Sequence, residues 1–137
     1  MSKKFVLTAT LLFIVLFCYA AIAKGRDIDI FRSQMMQSPL IPGLLINFLS
    51  YAVPAVEFLA AFLLAIEKTR LLGFYFSYII MFSFSVYLIL LVAFYSGNIP
   101  CACGGILGKL GYTAHIVFNV AFCVAAFFSI RIMSKKK

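Results

Sequence analysis

Apolar residues run in four unbroken stretches, roughly Phe5–Ala23, Leu44–Ile66, Leu71–Tyr95 and Tyr112–Met133. Each is about 20 residues or longer, enough for a helix to cross a hydrocarbon core of about 30 Å. A segment in lipid must satisfy its backbone hydrogen bonds internally, so it is a helix or part of a closed barrel. Barrel strands alternate apolar and polar positions, and these runs do not. The pattern predicts an all-α integral membrane four-helix bundle, one domain over residues 1–137, with connections at 24–43 and 96–111 on one side.

The first run has a second reading. Lys3-Lys4, an apolar stretch and Ala21-Ile22-Ala23 imitate a secretory signal with a small-residue cleavage site. Val15-Leu16-Phe17-Cys18 faintly resembles a lipoprotein signal, which bulky Phe17 fits poorly. The run is long for a signal, so we expect a retained first helix.

Composition agrees with a membrane setting. Hydrophobic residues make up 65% of the 137 and charged ones only 12%, against roughly 25% charged in a soluble domain. A chain this short could not hide that much apolar surface in a core of its own. The net charge of +8 is held at the chain ends and between the runs, so no basic, aromatic-laced surface points to nucleic acid.

The same charges orient the bundle. Lys3, Lys4, Lys68, Arg70, Arg131, Lys135, Lys136 and Lys137 fall on one side, against Lys24, Arg26, Arg32 and Lys109 on the other. The positive-inside rule places both termini in the cytoplasm and residues 24–43 and 96–111 outside. Within the first outer connection Ile28, Phe31 and Met35 recur at helical spacing before Ser38-Pro39. They predict an interfacial helix on the outer leaflet, with a plain linker as the competing reading.

The second outer connection contains Pro100-Cys101-Ala102-Cys103-Gly104-Gly105. Residues two apart bring their Cα atoms within about 7 Å, the outer limit for a disulfide. So small a ring is strained, and strained, exposed disulfides are the oxidising ones. Pro100 fixes the backbone on one side, and Gly104 and Gly105 leave room for a partner's sulfur on the other. A static disulfide or an idle thiol pair competes with a redox role, although so short a loop gains little from closure.

A metal site is the third reading. Cys101, Cys103 and His115 would supply three ligands, one short of a closed zinc site. His115 and Asn119 are four apart near the outer end of the fourth helix and share a face. In a redox protein His115 could stabilise a thiolate or move a proton. It could equally be an interfacial polar residue, with Asn119 bonding between helices. Gly108-Lys109 does not make a phosphate loop, since Cys103 and Leu110 stand where glycine and Ser or Thr are required.

Glu57 lies inside the second run, three residues after Pro54. A carboxylate there is expensive unless protonated or partnered. No span carries a Lys or Arg at its apparent depth, so the sequence predicts a protonated Glu57 that tolerates replacement by Gln. Its expected partners are hydroxyls of the third run, where Tyr75, Ser77, Tyr78, Ser83, Ser85 and Tyr87 cluster. Proton handling, contact with a quinone head and a plain interhelical hydrogen bond are all open to it. Counting along the helices sets Glu57 about 15 Å deeper than His115, too far to touch. Cys18 and Cys123, inside spans, read as inert packing residues, and no haem, flavin, nucleotide or nucleophile-triad pattern appears.

Three motifs together resemble the MauE branch of the MauE/DoxX family of redox-associated bacterial membrane proteins. They are Val53-Pro54-Ala55-Val56-Glu57, Pro100-Cys101-Ala102-Cys103-Gly104-Gly105 and His115-Ile116-Val117-Phe118-Asn119. Tyr112 stands where that family is expected to carry Trp. The resemblance implies a DoxX-like bundle in the bacterial cytoplasmic (inner) membrane, with Cys101 and Cys103 as redox pair. It adds Glu57, His115 and Asn119 as motif residues without an assigned role. It also implies a part in maturing methylamine dehydrogenase, whose small subunit needs disulfides formed outside the cytoplasm. Through DoxX it implies a quinone as candidate electron partner.

The sequence therefore supports, first, thiol–disulfide exchange with an extracytoplasmic thiol protein, either thioredoxin-like or a secreted enzyme subunit. A non-catalytic accessory protein for another enzyme's maturation comes second, and a metal-binding protein third.

Overall fold

The computed structural model describes residues 2–36, 42–94 and 112–135. Helix α1 (Ser2–Arg26) is followed by a short α2 (Ile28–Met36), then α3 (Gly43–Ala65), α4 (Arg70–Phe94) and α5 (Tyr112–Lys135). Four of these, α1, α3, α4 and α5, are long and apolar enough to cross a membrane. The chain is an all-α, multi-pass membrane protein.

Each spanning helix carries one buried stripe at three- and four-residue spacing. On α1 it is Val6, Ala9, Phe13, Phe17 and Ala20, and on α3 Ile46, Ser50, Pro54, Glu57, Ala61 and Leu64. On α4 it is Phe74, Ser77, Met81, Ser85 and Leu88, and on α5 His115, Asn119, Ala126 and Ser129. The opposite faces, with Leu11, Val15, Phe62, Ile79, Phe82, Val124 and Phe128, are exposed on the bundle surface. That division is what lipid on one side and helices on the other demand. The tightest pairings are α1 with α3 and α4 with α5, so the bundle is built of two hairpins.

Phe13 is fully buried and anchors the packing. Its ring meets Phe74 and Phe122 edge-on, with centroids 6.0 and 4.9 Å apart, and stacks on Phe17 at 5.8 Å. Edge-to-face contacts of this kind add to what burial alone supplies. Three buried hydroxyls are satisfied within their own helices: Thr10 donates to the Val6 carbonyl, Ser77 to Gly73 and Ser85 to Met81, each at 2.7 Å.

The α3–α4 corner closes by side-chain capping. Thr69 Oγ1 donates to the Leu63 carbonyl at 2.9 Å and Arg70 Nε to that of Leu64 at 3.0 Å. Both serve carbonyls that the end of α3 leaves without helical donors. Just beyond, Gly73 lets the two helix backbones touch. A Cβ there would lie 2.9 Å from Leu64 N, 3.0 Å from its Cγ and 3.1 Å from the Leu63 carbonyl carbon. The first of these is backbone and cannot step aside. Gly73→Ala should therefore lower the melting temperature of the detergent-purified protein, by a destabilisation of about 1–3 kcal/mol. An unchanged melting temperature would show that α3 and α4 do not approach this closely.

The connection after the first span does form a helix, but its apolar stripe has another neighbour. Phe31 and Met35 of α2 are 4% and 2% exposed and pack on Ile46, Leu49 and Val53 of α3. Ile30 and Met36 point outward. The expected outer-leaflet stripe is thus spent on protein. The reason is that α3 begins well before the level at which α1 ends, and its exposed apolar flank lies within reach of α2.

Candidate functional site

Lys24 continues the buried stripe of α1, one turn after Ala20, and is 4% exposed. Helical side chains lean toward the N-terminus of their own helix. Lys24, near the C-terminal end of α1, therefore leans back into the bundle. Glu57, on the adjacent α3 running the opposite way, leans outward to meet it. Lys24 Nζ donates to Glu57 Oε1 at 2.5 Å, with both side chains buried.

This overturns the expectations that no span brings a Lys or Arg to the depth of Glu57 and that hydroxyls of the third span serve it. Its partner is an ammonium from the first span, while Ser77 and Ser85 bond to their own helix. The apolar run ends at Ala23, but the helix continues to Arg26, which carries Lys24 inside. The signal for this was present: Phe13, Phe17, Ala20 and Lys24 fall at intervals of four, three and four. Lys24 thus had the phase of the buried face.

The short helix α2 closes the outer side of this pair. The Phe31 ring centroid stands 5.7 Å from Lys24 Nζ, a cation–π contact. Next to it the Arg32 guanidinium lies over the Tyr51 ring at 5.8 Å and donates to Tyr51 Oη at 3.4 Å. Arg32 also pairs loosely with Asp29 at 3.7 Å. Polar ties and burial together hold α2 against α3.

On α5, His115 and Asn119 are both buried, at 3% and 2% exposure, and one turn apart. The His115 ring packs between Phe84 of α4 at 5.7 Å and Phe118 at 6.3 Å. Both residues open on a cavity of about 520 Å³ walled by α1, α3, α4 and α5. Lys24, Glu57, Ser83 and Tyr87 line it too, among side chains such as Phe17, Val53, Ile80 and Phe84. The fold thus brings Glu57, His115 and Asn119 to one chamber. Glu57 and His115 can line one chamber of this size without touching, so the depth count along α3 and α5 is not at odds with it.

Two buried polar atoms in this chamber have no hydrogen-bond partner among the described residues. They are Glu57 Oε2, the oxygen that Lys24 does not take, and Asn119 Nδ2. Cys18 and Cys123 lie in the spans as free, half-buried thiols packed beside the aromatic core. Pro100, Cys101, Cys103, Gly104 and Gly105 fall outside the described residues, and with them the disulfide and metal readings of that loop. The loop is bonded to two of the cavity's walls, since it joins α4 to α5. Nothing matches the chain among curated proteins or solved structures. The family profile described as methylamine utilisation protein MauE matches residues 2–132, nearly the whole chain, and the protein belongs to that family.

Proposed function

We propose that this membrane protein exchanges thiols and disulfides with an extracytoplasmic protein through Cys101 and Cys103, within the methylamine utilisation that its family is described by. The observation that carries the reading is the Pro100-Cys101-Ala102-Cys103-Gly104-Gly105 segment itself, tethered twelve residues before the buried His115. In the exchange, a partner thiolate attacks one sulfur of the Cys101–Cys103 disulfide. That S–S bond breaks and a mixed disulfide forms. The partner's second thiol then displaces the remaining sulfur, leaving the partner oxidised and Cys101 and Cys103 as a dithiol with both protons and both electrons.

The compartment argument supports this reading. Eight basic residues stand on the inner side against four on the outer, the bias that the positive-inside rule reads. The setting is a bacterial cytoplasmic membrane, with the loop facing the side where disulfides persist.

A membrane-impermeant maleimide applied to intact spheroplasts tests both points at once. Before reduction it should leave Cys101 and Cys103 unlabelled, and after reduction by a mild dithiol it should label both, as read by intact mass. Labelling only in broken membranes would invert the orientation. Full labelling without reduction would show idle thiols and favour the accessory-protein reading.

A further inference from the structure

The cavity between the two hairpins is almost wholly apolar, yet it holds an uncompensated donor and an uncompensated acceptor. Asn119 Nδ2 and Glu57 Oε2 are buried there without partners among the described residues. Buried polar atoms are nearly always paired, so the two together point to a molecule that supplies an acceptor to one and a donor to the other. Charge narrows its chemistry. Among the described residues of the wall Lys24 is the one Lys or Arg, and it is already engaged by Glu57, so an anionic head would meet a carboxylate with no further cation among those residues beside it. The head is therefore neutral. The walls of Phe17, Phe84 and Phe118 suit a flat ring, and a volume of about 520 Å³ is that of a small-molecule site.

We propose that the cavity binds a lipid-soluble quinone and its quinol. A quinone carbonyl accepts from Asn119 Nδ2, and a quinol hydroxyl donates to Glu57 Oε2, so each unpaired group serves one redox form. The inference rests on the thiol–disulfide reading for its source of electrons. The Cys101 and Cys103 dithiol breaks two S–H bonds and closes one S–S bond, releasing two protons and two electrons. The quinone takes both, and its two C=O groups become C–OH. No third reactant enters.

The test uses the full chain in lipid vesicles titrated with a short-tailed benzoquinone. The readout is the fluorescence of its seven tyrosines, which no tryptophan masks. Quenching should saturate. Asn119→Leu, which removes a donor bonded to nothing in the described chain, should weaken binding on the order of tenfold while the protein stays helical. Ala52→Phe, which fills the cavity from α3, should weaken it at least as much and decides the matter if the Asn119 variant does not fold. Quenching that never saturates, or that both variants leave unchanged, would overturn the site. So would equal competition by a carbonyl-free hydrocarbon of the same tail length, which would mark the cavity as a lipid-chain slot. Binding is expected to persist in a Cys101→Ser, Cys103→Ser double variant. Saturable binding in a protein that traps no thiol partner removes the redox reading alone, and trapping without saturable binding removes the quinone site alone.

Discussion

Lys24→Met on its own should sharply reduce the amount of folded protein in the membrane, and adding Glu57→Leu should restore most of it. The two side chains are the charged residues among the buried described ones and pair with each other. Removing one partner of a buried pair leaves the other charge uncompensated, which destabilises by about 3–5 kcal/mol. Against a total stability of about 5–15 kcal/mol that is a large share. Replacing both by apolar residues of similar volume is often neutral or stabilising, since the desolvation penalty goes with the charges. Glu57→Gln belongs with the single variants, because it strands the ammonium of Lys24. Yield and melting temperature in detergent are the measurements. Single variants as stable as the parent would mean that the pair is open to water. A double variant no better than the singles would mean that shape rather than charge is at stake.

Replacing Cys101 with Ser should trap an extracytoplasmic partner as a stable mixed disulfide, visible as a reducible band on a non-reducing gel. Run in reverse, the exchange starts when one loop thiolate attacks the disulfide of an oxidised partner and ends when the other loop sulfur resolves the mixed disulfide, so removing the resolving sulfur freezes the intermediate. Cys103 precedes two glycines, which have no side chain to screen a backbone N–H, and it is nearer in sequence to His115. These features favour a thiolate at Cys103 and make it the attacking sulfur. Cys103→Ser should trap several-fold less. Replacing Cys18 or Cys123 should change nothing, because both are half-buried in the spans. If neither loop variant traps a partner and both support maturation of secreted enzymes, exchange is not what the loop does.

The spans were legible because lipid imposes a length and a continuity that composition records directly. The existence of α2 was legible from Ile28, Phe31 and Met35, but its neighbour was not. Helical spacing identifies an apolar face without saying whether lipid or protein will cover it. Glu57, His115 and Asn119 could be singled out as polar residues in apolar runs, and the chamber they share could not. It depends on how α1, α3, α4 and α5 pack around a common space, a tertiary quantity. The pairing of Glu57 was misread for a narrower reason. Lys24 was counted with the loop because the apolar run stops one residue earlier, whereas the helical phase set by Phe13, Phe17 and Ala20 carries it inward.

The division of the bundle into hairpins bears on how the chain enters the membrane. Lys24 and Glu57 both belong to the first hairpin, α1–α3. A lone charge at the centre of a helix raises the free energy of insertion by about 2.5–3.5 kcal/mol. A chain whose cation and anion lay in different hairpins would have to hold one of them exposed to lipid until the other was synthesised. Here the first hairpin can leave the insertion machinery with its charges matched as soon as α3 is complete. The second brings Arg70, Arg131 and Lys135 at the helix ends that the positive-inside rule assigns to the cytoplasm. Synthesis order and charge placement thus agree, and α4 and α5 meet a partner whose buried charges are already matched.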